Sequence, residues 1–79
     1  MKYAVKVTLK KDVLDPQGKV IEHTLESMGM NTLKSIRQGK YFEIEIKENN
    51  EEKAKSKIEE MCKKLLVNLI IEDFEISKL

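Results

Sequence analysis

The chain has 79 residues, 37% of them charged and 41% hydrophobic, with a net charge of +1. That balance belongs to a globular chain and gives no basic face for nucleic acid or an anionic membrane. A single domain over residues 1–79 is all this length can hold, and a chain so short buries only about 60% of its unfolded surface, so self-association or docking on a larger protein is expected.

Tyr3, Val5, Val7 and Leu9 alternate with Lys2, Ala4, Lys6 and Thr8, which predicts a half-buried strand. The same alternation from Met1 to Lys6 leaves no secretory core, and no apolar run approaches the ~20 residues of a membrane span. The lone Cys62 has no disulfide partner within the chain. A cytoplasmic protein is the expectation.

Leu14-Asp15-Pro16-Gln17-Gly18 then starts a helix. Asp15 can accept from the first free backbone N–H groups, and Pro16 fits the first turn, where its missing N–H costs nothing. Gly18 is not asked for by helix chemistry and suggests a close backbone neighbour. The helix runs to about Met28, with Gly29 as its C-terminal cap. Gln17, Val20, Ile21, Thr24, Leu25 and Met28 share the face expected to pack inward.

A weaker strand is expected over Thr32 to Arg37, a tight turn at Gln38-Gly39, and a third strand over Tyr41 to Lys47. Asn49-Asn50-Glu51-Glu52 starts a second helix with acids suited to its dipole. Its apolar face is Ala54, Ile58, Met61, Cys62 and Leu65, with Leu66 at the margin. Asn68 marks its exit, and Ile70 to Ser77 is the last strand, with Phe74 and Ile76 inward. The order β-α-β-β-α-β predicts an α+β, ferredoxin-like sandwich: two helices on one face of a four-stranded antiparallel sheet. The first strand then lies centrally, so Lys2 and Lys6 face Glu43 and Glu45 on one side and Asp73 and Glu75 on the other.

Catalytic groupings are poor. His23 sits on the polar face of the first helix, and Cys62 on an apolar face with no histidine to activate it. One histidine and one cysteine do not begin a zinc site, and there is no phosphate loop. Glu43 and Glu45 lie where an RNA-reading sheet would carry aromatic and basic residues. Three connections converge at one end instead, bringing Lys10, Lys11, Arg37 and Lys40 beside a helix N-terminus, which can hold an anion. A solvated, capped end used for protein docking is the plainer reading.

Three segments together resemble the PurS family, the small subunit of phosphoribosylformylglycinamidine (FGAM) synthase. They are Leu14-Asp15-Pro16-Gln17-Gly18, Arg37-Gln38-Gly39-Lys40-Tyr41 leading into Glu43-Ile44-Glu45, and Met61 to Asn68 running into Ile71 to Ile76. Val67-Asn68-Leu69-Ile70 departs from the family, which often has proline after the asparagine. The resemblance implies a homodimer or tetramer that joins a synthetase subunit, PurL, to a glutaminase subunit, PurQ. The complex uses ATP with Mg and glutamine to amidate formylglycinamide ribonucleotide in purine biosynthesis. It implies an adaptor role for this chain, with no catalytic residue, metal or cofactor of its own. Leu14, Asp15, Pro16, Gln17, Gly18, Arg37, Gly39, Lys40 and Asn68 would shape the partner-binding end, with Arg37 and Lys40 as polar anchors. A small effector-binding regulatory module is the alternative.

Overall fold

A computed structural model describes all residues from Met1 to Leu79. Its elements are β1 (Lys2–Leu9), α1 (Pro16–Ser27), β2 (Gly39–Glu45), α2 (Glu51–Met61) and β3 (Glu72–Lys78), with a π turn over Cys62–Leu66 after α2. The sheet has three antiparallel strands in the order β2-β1-β3. The first strand is therefore central, as the expected order of elements places it. Lys2 lies opposite Glu45 and Lys6 opposite Glu75, so these two expected charge pairings hold. Glu43 and Asp73 instead face Ala4 and Thr8.

The core is Tyr3, Val5 and Val7 from β1 against Ala54, Ile58, Cys62 and Val67. Phe42, Ile44, Phe74 and Ile76 pack around it, half-buried. The α2 start is as read: Asn50 accepts from the Lys53 N–H at 3.0 Å, and Glu51 and Glu52 fill the first turn.

The end of α2 departs from a simple helical wheel. The Val67 N–H reaches back five residues to the Cys62 carbonyl at 2.9 Å. The wider turn rotates the following side chains. Leu65, expected inward, is 84% exposed; Leu66 is half-buried, and Val67 enters the core. Met61 is also exposed. Burial, aided by nearby Glu59, raises the Cys62 thiol pKa above its usual value, which suits a small core residue rather than a nucleophile.

The largest departure lies between residues 30 and 39. Thr32 to Arg37 is no strand within this chain, and Gln38-Gly39 is no tight turn. Two-residue hairpins need positive φ at their centre, yet the one residue with positive φ is Gly29, at +91°, behind α1. Gly39 instead pairs with Thr8 as the first residue of β2. With no hairpin, the fourth strand does not add to the sheet.

The expected inward face of α1 is open as well: Val20 and Met28 are two-thirds exposed, Ile21 is exposed and Leu25 half-buried. Gly18 is the one buried residue of α1. The molecule is elongated, 50 × 25 × 14 Å, with a radius of gyration of 16.1 Å; a compact domain of this length has about 12 Å.

Candidate functional site

The two connections leaving the sheet at this end, residues 10–15 and 37–39, lie side by side and are tied by two side chains. Asp15 caps α1 by accepting the Gly18 N–H at 2.9 Å on Oδ1. Its Oδ2 accepts the Gln38 N–H at 2.9 Å from the other connection. Arg37 runs the other way. Its guanidinium donates to the carbonyls of Val13 (2.6 Å), Lys10 (3.1 Å) and Lys11 (3.2 Å). One carboxylate and one guanidinium thus cross-lace segments more than twenty residues apart in sequence.

Asp15 is buried, and the N–H groups of Gln38 and Gly18, with the Arg37 charge beside it, hold its pKa below the ordinary carboxylate value. Its contribution to stability is full above the unfolded value and is lost as pH falls through the lower folded value. Asp15→Asn keeps one acceptor oxygen and removes the charge. The variant is expected to melt several degrees below the parent at pH 7, and the gap is expected to close as pH falls below about 4. Thermal melts across pH 2–7 check this; a gap that does not depend on pH would reject it.

Gly18 behaves as its odd position suggests. A Cβ there would lie 2.8 Å from the Ile36 carbonyl and 2.6 Å from Asp15 Oδ2. A Cβ on Gly39 would come within 2.4 Å of the Val7 carbonyl. Both glycines mark places where backbone meets backbone.

The remaining sequence-predicted residues take different places. Pro16 opens α1, and Gln17 meets the Gln38 side-chain amide. Lys40 pairs with Glu72 at 3.6 Å, linking β2 to the start of β3. Asn68 organises the turn into β3: its side chain accepts the Ile70 N–H at 3.1 Å, and its own N–H donates to Glu72 Oε1 at 2.8 Å. The Lys10 N–H reaches the Ile71 carbonyl at 2.9 Å, so this turn abuts the first connection. All three connections do meet at one end. Leu14 points out, 67% exposed, and Leu69 and Ile70 in the neighbouring turn are also exposed.

Two sequence expectations change. Arg37 is bonded to its own chain's carbonyls rather than presented to a partner. The α1 N-terminus already holds the Asp15 carboxylate, so it is not vacant for an outside anion. Sequence reasoning missed Gln38 as the second donor to Asp15, since a backbone N–H carries no residue signal, and placed Ile70 inside a strand when it belongs to an exposed turn.

A cleft of about 380 Å³ opens beside this clamp, between the residues 11–15 connection, Lys19 and Glu22 of α1, and residues 35–37. It is mixed in character. No three of the chain's His, Cys, Asp and Glu side chains are grouped to hold a metal ion, and no helix is long and apolar enough to cross a membrane.

What these elements define is a small α+β subunit whose conspicuous end is built for packing backbone against backbone. Residues 2–79 match the family described as "PurS: Phosphoribosylformylglycinamidine (FGAM) synthase". The PurS subunit of Methanocaldococcus jannaschii is 45% identical over 76 residues, covering 96% of this chain and 92% of the relative. The solved structure of Bacillus subtilis PurS has a TM-score of 0.87 at 42% identity, covering 96% of this chain and 94% of that one. A structure of PurLQS from Thermotoga maritima superposes with a TM-score of 0.90 at 35% identity, covering 99% and 95%. The chain belongs to the PurS family and is a subunit of FGAM synthase.

Proposed function

We propose that this chain is the adaptor of its synthase, a self-associating subunit that joins PurL and PurQ so that ammonia released from glutamine is consumed in ATP-dependent amidation without escaping. The observation that carries the reading is the likeness to a chain solved within PurLQS over nearly the whole length of both. The clamped end supports it: Leu14, Leu69 and Ile70 are exposed on connections that meet at this end, on a scaffold tied by Asp15 and Arg37. Leu14 to Gly18, Arg37, Gly39, Lys40 and Asn68 are the residues of this docking end, with Asp15 and Arg37 shaping it from within. ATP, Mg and glutamine are handled by the large subunits, in the cytoplasm.

Reconstitution tests this. With cognate PurL and PurQ, glutamine-dependent amidation is expected to require this chain, while amidation driven by added ammonia proceeds without it. If both activities ignore it, the adaptor reading fails.

The open shape supports self-association. Only 10 of the 79 residues are buried, too few for a chain that folds alone. A homodimer or a tetramer would supply the missing contacts.

A further inference from the structure

We infer that the outer edge of β3 takes up one extended strand from a large subunit of the synthase, a segment that alternates basic and apolar residues. The inference rests on the adaptor reading for the source of that strand. It names a contact along the side of the sheet, apart from the docking end.

β3 is an edge strand, since the sheet ends with it. The bonds at its two ends fix which backbone groups face outward. The Leu79 N–H donates to the Lys2 carbonyl and the Lys10 N–H to the Ile71 carbonyl, both at 2.9 Å, each extending the β1–β3 register by one residue. In an antiparallel ladder such bonded pairs recur at every second residue. Asp73, Glu75 and Ser77 therefore direct their backbone groups to β1, and Glu72, Phe74, Ile76 and Lys78 turn theirs outward. The Glu72 N–H is taken by the Asn68 carbonyl at 2.7 Å. The N–H groups of Phe74, Ile76 and Lys78 stay open to a further strand.

Edges of this kind are commonly blunted by a proline, a bulge or a lysine within the strand. β3 pairs with β1 through seven consecutive residues without a bulge and contains no proline. Its one lysine, Lys78, stands at the end and reaches Glu51 at 3.4 Å. The remaining side chains divide by face. Phe74 and Ile76 lie opposite Val7 and Val5 on the helix-bearing side, and stay half-buried although packed on the core. Asp73 and Glu75 are exposed on the solvent side, and neither belongs to an ion pair.

That pattern selects the occupant. An added strand meets carboxylates on one face and apolar groups on the other, so Lys or Arg at alternate positions, with apolar residues between, complements both. A second copy of β3 does not. Full overlap is centred on Glu75 and sets Glu75 against Glu75; centring on Phe74 sets Asp73 against Glu75 twice. Like charges directly opposite are destabilising. The chain's own basic strand, Lys2 to Lys6, is already enclosed as β1.

Amide hydrogen exchange on the full chain, alone and with cognate PurL or PurQ, tests this, with the label read residue by residue by NMR after release. Alone, Phe74, Ile76 and Lys78 are expected to exchange faster than Glu75 and Ser77. With one of the two subunits they are expected to slow by about 10-fold or more. Asp73→Lys should weaken binding to that subunit about 10-fold with an unchanged melting temperature, since Asp73 faces only Thr8 across the ladder. Lys78→Pro closes the edge without removing a bond to β1 and should weaken binding likewise. Unslowed amides with both subunits overturn the inference. Slowing that follows the chain's own concentration assigns the edge to a second copy and overturns it too. Coupling in the reconstituted synthase is read separately: coupling kept with an unprotected edge sinks this contact alone, and coupling absent with a protected edge sinks only the adaptor role.

Discussion

Ile58→Ala is expected to destabilise the chain by about 2–5 kcal/mol, a large share of the stability a chain of this size has. Ile58 is fully buried at the centre of the packing between α2 and the sheet. A chain of this length has only about 4–12 kcal/mol of stability in total, at the usual 0.05–0.15 kcal/mol per residue. Val5 and Val7 in the same cluster are held on the central strand and Cys62 on the π turn, so backbone already fixed by the sheet and helix limits how far they can close on the void. Denaturant unfolding followed by circular dichroism measures the effect. Ile58→Val, which removes one methyl, should cost about 0.5–1.5 kcal/mol, and equal effects for the two variants would contradict this account of the core.

Gly39→Val is the second large effect expected. The Cβ contact with the Val7 carbonyl at 2.4 Å is against backbone of the central strand, so relief requires β2 to move away from β1 at its first pair. Overpacking of this kind costs about 1–3 kcal/mol. The damage falls beside the Asp15–Gln38 bond, so the variant is expected to lose glutamine-dependent turnover in the reconstituted complex more than its stability loss explains. Gly29→Ala is the control: Gly29 has nothing within 4 Å and carries only the φ of +91°, so its cost is conformational, about 1 kcal/mol, with coupling intact. Coupling retained in Gly39→Val would remove this end of the molecule from the partner contact.

The elements were legible wherever a residue pattern repeats. Alternation from Tyr3 to Leu9 marked the central strand, and Asp15-Pro16, Gly29 and Asn50 with its acids marked the helix limits. The clamp was half legible. Asp15 and Gly18 announce an occupied helix start, but Arg37 reaches main-chain carbonyls that any residue would offer, so its inward use leaves no trace in composition. Two features were illegible for the same reason: each depends on backbone geometry over one or two residues. The π turn at Cys62 interchanges the environments of Leu65 and Leu66, and the absent hairpin at Gln38-Gly39 leaves residues 32–37 outside the sheet. The helical wheel and the strand pattern carry no signal for either feature, so Leu65 and residues 32–37 are the places where the reading and the structure part.

The solvent side of the sheet has a further consequence. Lys2 and Lys6 stand there among Glu43, Glu45, Asp73 and Glu75, two positive charges against four negative, while the chain as a whole is +1. The remaining surface must carry a surplus of positive charge. The subunit is therefore an electric dipole across its thickness, and it turns its sheet away from an acidic partner before contact is made. Such orientation acts over about 8 Å at physiological salt. It sets how often a chance encounter meets the productive face, an effect on the speed of assembly that added salt would erase while the assembled contacts remain.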